Sequence, residues 1–204
     1  MNKNIFLIIL GLILISGCSY NQQPTTSIVA INEPLDVNVT NNAIVTQTYA
    51  HHEIHEGDHY YIDDKFTLGN GATRNILFIT PACNLTKYVH LVAGANSNGI
   101  ITSFALFEGS TYSSVGTIEP IHNRNRVLNF ISLSSVYTTP TILTTGTIIR
   151  DEHWGIKEKL GGDNRGSEEI LLNCGTNYLI RITSGETLNL INVKLDWYEN
   201  GLEN

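Results

Sequence analysis

The alternation of side chains between Asn189 and Glu199 constrains the fold more than any other feature. Ile191, Val193, Leu195 and Trp197 alternate with Asn192, Lys194 and Asp196. A period of two places the first set on one face of a strand and the second on the other, so one face is buried. Tyr178, Ile180 and Ile182 alternate with Arg181 and Thr183 in the same way. Leu188 and Leu190 follow the opposite parity to Ile191, which predicts a bulge or slip of phase near Leu190.

Shorter runs of the same character cover Ala43–Ile54, His59–Asp63, Thr73–Thr80, Lys87–Ala93, Ile100–Glu108, Arg126–Val136, Thr141–Arg150 and Glu168–Leu172. Turn residues punctuate them: Gly69-Asn70-Gly71, Gly94-Ala95-Asn96, Pro120, Pro140, Gly161-Gly162 and Gly175. These residues tolerate positive φ or preset a bend. Only His153–Leu160 reads as a brief helix, and no repeat of fixed period emerges. The expected fold is all-β: a β-sandwich or jelly roll of about ten short antiparallel strands, spanning residues 43–204.

The first 18 residues, MNKNIFLIILGLILISGC, place Lys3 ahead of an apolar run that ends in Ile15-Ser16-Gly17-Cys18. The run is shorter than the roughly 20 residues of a membrane span, and it fits the apolar core of a secretory signal. It looks like a bacterial lipoprotein signal, which predicts lipidation of Cys18 and attachment to a membrane surface by acyl chains. By the same likeness, Ser19 after the cysteine favours the outer membrane. Residues 19–42 are rich in Asn, Gln, Thr and Pro and read as a flexible polar tether.

Twelve Lys and Arg stand against 19 Asp and Glu, a formal net charge of −7. That balance, without a basic or aromatic stripe, argues against nucleic acid as a partner. Once Cys18 is acylated, only Cys83 and Cys174 remain. In an oxidising compartment they form either one disulfide or two separate thiols.

The densest polar cluster is HHEIHEGDHYYIDD, residues 51–64. Read as a strand turning at Glu56-Gly57-Asp58, it sets His51, Glu53 and His55 on one face and returns His59 toward them. These four form a candidate divalent-metal site, against the alternative of a solvated hairpin. Read as a helix, His51, His55 and His59 also share a face, but Gly57 and the β-rich flanks weigh against that. No serine elbow, phosphate-binding loop or zinc-protease motif occurs, and neighbours such as Asp63-Asp64 point to opposite faces of a strand. The expectation is a non-enzymatic protein with no cofactor. Candidate binding loops are residues 51–64, 121–126 with Arg124 and Arg126, and the glycine-containing stretch 151–166 with Trp154.

Four stretches, HHEIHEGDHYY, LFEGSTYSSVGT, IHNRNR and LDWYE, spread over residues 51–199, resemble a family of tailed-phage virion proteins. Those are β-rich head-decoration, head-fibre or other accessory structural components. The resemblance implies a non-catalytic sandwich that contacts other virion subunits through loops or edges, and it supplies no active-site residues. The leader departs from that family, because capsids assemble in the cytoplasm. Either a virion-type domain has been placed behind a lipoprotein signal to coat the cell, or the leader is retained as an apolar anchor within a particle. The expected location is accordingly the virion or the cell envelope. The expected partners are other virion or envelope proteins, a glycan, the membrane through the lipid anchor, or a second copy of the chain. The alternative is an envelope lipoprotein that binds a small ligand or metal through the histidine-rich segment.

Overall fold

The computed structural model of the chain describes residues 35–38, 43–46, 49–85, 87–128, 130–154 and 169–201. The leader with Cys18, the side chain of Trp154 and residues 155–168 lie outside these. The chain divides into two compact units between Tyr49 and Ala50. In the first, β1 (Leu35–Asn38) pairs antiparallel with β2 (Ala43–Thr46), so the stretch that reads as a tether contains a strand.

The second unit is a β-sandwich. Its framework strands are β3 (His59–Leu68), β4 (Thr73–Ile79), β5 (Lys87–Ser97), β6 (Ile101–Glu108), β12 (Thr147–Trp154), the short β13 (Ile170–Leu172), β14 (Asn177–Ser184) and β15 (Asn189–Gly201). Shorter strands fill the excursion between β6 and β12: β7 (Thr111–Ser114), β8 (Thr117–Ile118), β9 (His122–Asn123), β10 (Ser135–Thr138) and β11 (Thr141–Thr144). One sheet runs β13-β5-β15-β3-β9 and the other β12-β6-β14-β4-β10-β8, with β11-β7 as a separate ribbon. These eight strands pair in nested fashion: β3 with β15, β4 with β14, β5 with β13 and β6 with β12. One long antiparallel hairpin folded over itself produces this order.

The alternation seen in the sequence builds the core. Ile191, Val193, Leu195 and Trp197 of β15 are fully buried and meet Ile76 and Phe78 of β4 and Tyr178, Ile180 and Ile182 of β14 from the opposite sheet. The Phe78 and Trp197 rings meet nearly at right angles, with centroids 5.2 Å apart. The β15–β3 register runs without interruption from Asn189, so there is no bulge near Leu190. Leu188 and Leu190 are instead exposed, on the outward parity. Leu188 takes φ +56 in the turn that enters the strand.

Cys83 and Cys174 form a disulfide with a Cα–Cα distance of 4.8 Å. It joins the β4–β5 connection to the β13–β14 turn. Backbone bonds run beside it, with Gly175 N donating to Pro81 O at 2.6 Å and Thr80 N to Thr176 O at 3.1 Å.

An internal repeat is present after all. Leu106–Ile118 (LFEGSTYSSVGTI) is matched by Val136–Ile148 (VYTTPTILTTGTI) in strand order, turn geometry and exposure. Gly109 and Thr139 both have positive φ, as do Gly116 and Gly146. Ile118 pairs with Tyr137 and Thr117 with Thr138; the counterparts are Ile148 with Phe107 and Thr147 with Glu108. Gly109 N donates to Asn177 O at 2.9 Å, and Thr139 N to Asn75 O at 3.2 Å. Exchanging the halves leaves these pairings unchanged. They are therefore related by an approximate two-fold axis through the Leu77–Leu179 pair at the sheet centre.

Each half closes on the other through a glycine. A Cβ on Gly116 would lie 2.7 Å from the carbonyl carbon of Thr139, and one on Gly146 2.9 Å from that of Glu108. Both residues also hold the left-handed conformation that favours glycine. Gly116→Ala and Gly146→Ala are each expected to cost about 2–3 kcal/mol. Gly71 has φ +73 but open space around it, so Gly71→Ala should cost only about 1 kcal/mol. Urea midpoints at unchanged slope check this. Equal costs at all three positions would remove the argument from close approach.

Candidate functional site

The histidine-rich segment folds as a helix, not as a strand. Helix α1 (Tyr49–Glu56) replaces the second half of the strand expected over Ala43–Ile54. Its end is fixed from outside. Gly57, at φ +84, donates its N–H to Glu53 O at 3.1 Å. Asn125 Nδ2 donates to His55 O at 3.1 Å, and Asn123 Nδ2 to Gly57 O at 2.5 Å. A Cβ at Gly57 would lie 2.7 Å from Phe130. Two asparagines of the 121–126 loop thus cap the helix, a role that favours short polar side chains.

The helix separates the four residues expected to share a metal. His51 and His55 are exposed, one turn apart on one side of α1. Glu53 is buried. His59 lies on β3, 3% exposed, with Nε2 2.6 Å from Asp196 Oδ1. The hairpin geometry that would gather all four is absent. Among the described residues no group of three or more His, Cys, Asp or Glu is placed to hold a metal ion.

His59 belongs to a polar cluster on the outer face of the five-stranded sheet. Arg124 Nε donates to Asp196 Oδ2 at 2.9 Å, and the guanidinium lies 5.2 Å from the Tyr61 ring centroid. The backbone N–H of Arg124 donates to His59 O at 2.8 Å. Beside this group, Tyr198 O–H donates to Glu169 Oε1 at 2.5 Å, and His90 Nδ1 lies 2.7 Å from the same oxygen. The His90 and Tyr198 rings stack at 4.5 Å. A His–Asp pair is the base-orienting half of a hydrolytic triad. Here both members are nearly sealed from solvent, and the carboxylate also holds an arginine. The arrangement fixes the β9 loop to the sheet.

A second buried carboxylate organises the neighbouring chain. Glu199, 2% exposed, accepts from Ser132 Oγ at 2.6 Å, Leu133 N at 2.8 Å, Ser134 N at 2.9 Å and Trp197 Nε1 at 3.1 Å. Lys87 Nζ bridges Asp58 Oδ2 at 2.7 Å and Glu199 O at 3.1 Å. Burial, then the Glu199 and Asp58 charges, push the Tyr60 phenol above its ordinary range. At the other sheet, burial and the bond to Glu108 do the same to Tyr178.

The segment that Glu199 grips carries exposed apolar side chains. Val127 and Ile131 are each 87% exposed, and Phe130 and Leu133 stand out beside them. Ile118, Leu143 and Ile148, in the two-fold-related halves, are exposed as well. Sequence reasoning named Arg124 and Arg126 here. Arg124 is held by Asp196, whereas Arg126 is exposed at the surface. The apolar residues that follow read as part of a strand over Arg126–Val136. The described residues from 126 to 134 form no strand, and β10 begins only at Ser135, because Glu199 takes the backbone N–H groups of Leu133 and Ser134. Trp154 ends β12, its backbone paired with Ile101. The stretch beyond it and Cys18, the expected lipidation site, fall outside the described residues, as does nearly all of the predicted 153–160 helix. Among the described residues no helix is long and apolar enough to cross a membrane. No family model, curated protein or solved structure matches the chain.

Proposed function

We propose that this protein is a non-catalytic jelly-roll docking module, an accessory structural component of a tailed-phage virion. The carrying observation is the 127–133 segment. Val127, Phe130, Ile131 and Leu133 face solvent while a buried carboxylate fastens the backbone at Leu133 and Ser134 to the core. Soluble proteins seldom hold a row of large apolar side chains outward on an anchored loop unless something covers them. The nested strand pairing supports the jelly-roll reading, and the resemblance of four sequence stretches to phage accessory proteins supports the virion role. The buried, internally paired His59, Asp196 and Glu199 favour structure over turnover. Partners in this reading are neighbouring virion proteins, with a glycan or a second copy as further candidates.

The Ile-Ser-Gly-Cys ending of the leader favours a second reading, an envelope lipoprotein anchored through Cys18. Mass spectrometry of purified particles against washed membranes from the same cells separates the two. Stoichiometric presence in particles supports the virion role, and recovery only in membranes overturns it. Incorporation of labelled palmitate that disappears in Cys18→Ala supports the lipoprotein; label that persists in the variant refutes that assignment.

A further inference from the structure

We propose that His51 and His55 form an exposed two-imidazole site for a divalent late-transition-metal ion, Ni2+ or Cu2+. The proposal does not depend on the docking role. The two rings project one turn apart from α1, with Nε2 atoms 3.0 Å apart and ring centroids 4.8 Å apart. The nitrogens are much closer than the centroids, so the Nε2 ends of the rings face each other. Two nitrogens at that separation subtend roughly 95° at an ion about 2.05 Å from each. That is near the right angle of a tetragonal ion and below the tetrahedral angle that zinc takes, which selects Cu2+ or Ni2+.

The pair is assembled before any ion arrives. Asn125 holds the His55 carbonyl and Gly57 closes the helix, so the spacing is set by a capped turn. Without metal, one Nε2–H donates to the other Nε2. On binding, the donor ring moves its proton to Nδ1, both Nε2 lone pairs face the ion, and no proton leaves the pair. Water fills the remaining positions. The buried Glu53 and His59 take no part.

The test is titration of the untagged full chain with NiCl2 by calorimetry. One Ni2+ per chain is expected, with affinity about tenfold or more weaker in His51→Ala and in His55→Ala, since each loses the second, intramolecular contact. His122→Ala and His153→Ala, at the other exposed histidines, should bind as the parent does. Cu2+ added to the parent should show two equivalent nitrogen couplings by electron paramagnetic resonance, falling to one in either helix variant. His55→Gln and far-ultraviolet circular dichroism guard against loss of fold. No uptake at millimolar Ni2+, equal affinity in the helix variants, or equal loss in His122→Ala overturns the site.

Discussion

Trp197→Ala is expected to lower the unfolding free energy by about 3–5 kcal/mol, the range for removing a large aromatic side chain from a core. The indole is fully buried between the sheets, nearly perpendicular to the Phe78 ring and tilted against Tyr60 at 6.0 Å. Its Nε1–H also donates to Glu199 Oε1. Alanine therefore leaves a cavity and removes one donor from a buried carboxylate. Trp197→Phe keeps most of the volume and loses only the donor, so its cost should be well under half that of alanine. A urea midpoint for Trp197→Ala within about 1 kcal/mol of the parent would mean that the two sheets are not joined through this residue.

Glu199→Ala is expected to cost about 3–4 kcal/mol, for a different reason. Little apolar surface is lost. Leu133 N and Trp197 Nε1 lose their acceptor and Ser134 N keeps only Ser132 Oγ, and each unmet buried donor costs roughly 1–3 kcal/mol. Water entering the vacated space recovers part of the loss. The local signature is the sharper test. Amide exchange at Leu133, whose N–H donates to the carboxylate, should accelerate far more than exchange in β14, and Ser134, which also donates to Ser132 Oγ at 3.1 Å, should respond less. Uniform acceleration would show global weakening without a specific anchor. The Trp197 and Glu199 effects should not add, since the two side chains share a hydrogen bond.

The elements legible in the sequence were those in which side-chain parity alone decides the outcome. β15 and β14 each bury one face, and their apolar positions declared it. The same parity places Glu199 in line with Trp197, so an inward carboxylate at the end of the last strand was readable although it was not singled out. Leu188 and Leu190 misled because two leucines imply burial, whereas a positive-φ residue resets the chain before β15 and leaves both outside.

Helix α1 lay beyond such reading. Tyr49–Glu56 has almost no apolar pattern, and His51, Glu53 and His55 suit a strand as well as His51 and His55 suit a helix. The caps that decide between them, Asn123 and Asn125, come from a loop some seventy residues later in sequence. The internal repeat was hidden for a related reason. Its halves share turn conformation and strand pairing more than side-chain identity, with Thr111, Gly116, Thr117 and Ile118 recurring as Thr141, Gly146, Thr147 and Ile148.

A photo-crosslinking side chain placed at Ile131 in intact particles tests the docking role most directly. If the anchored apolar loop meets a neighbouring subunit, irradiation yields a covalent adduct with another particle protein from Ile131, and none from the same group at Asn70, an exposed turn position. Adducts of equal yield from both positions, or none from Ile131, would contradict the assignment of this loop as the docking surface.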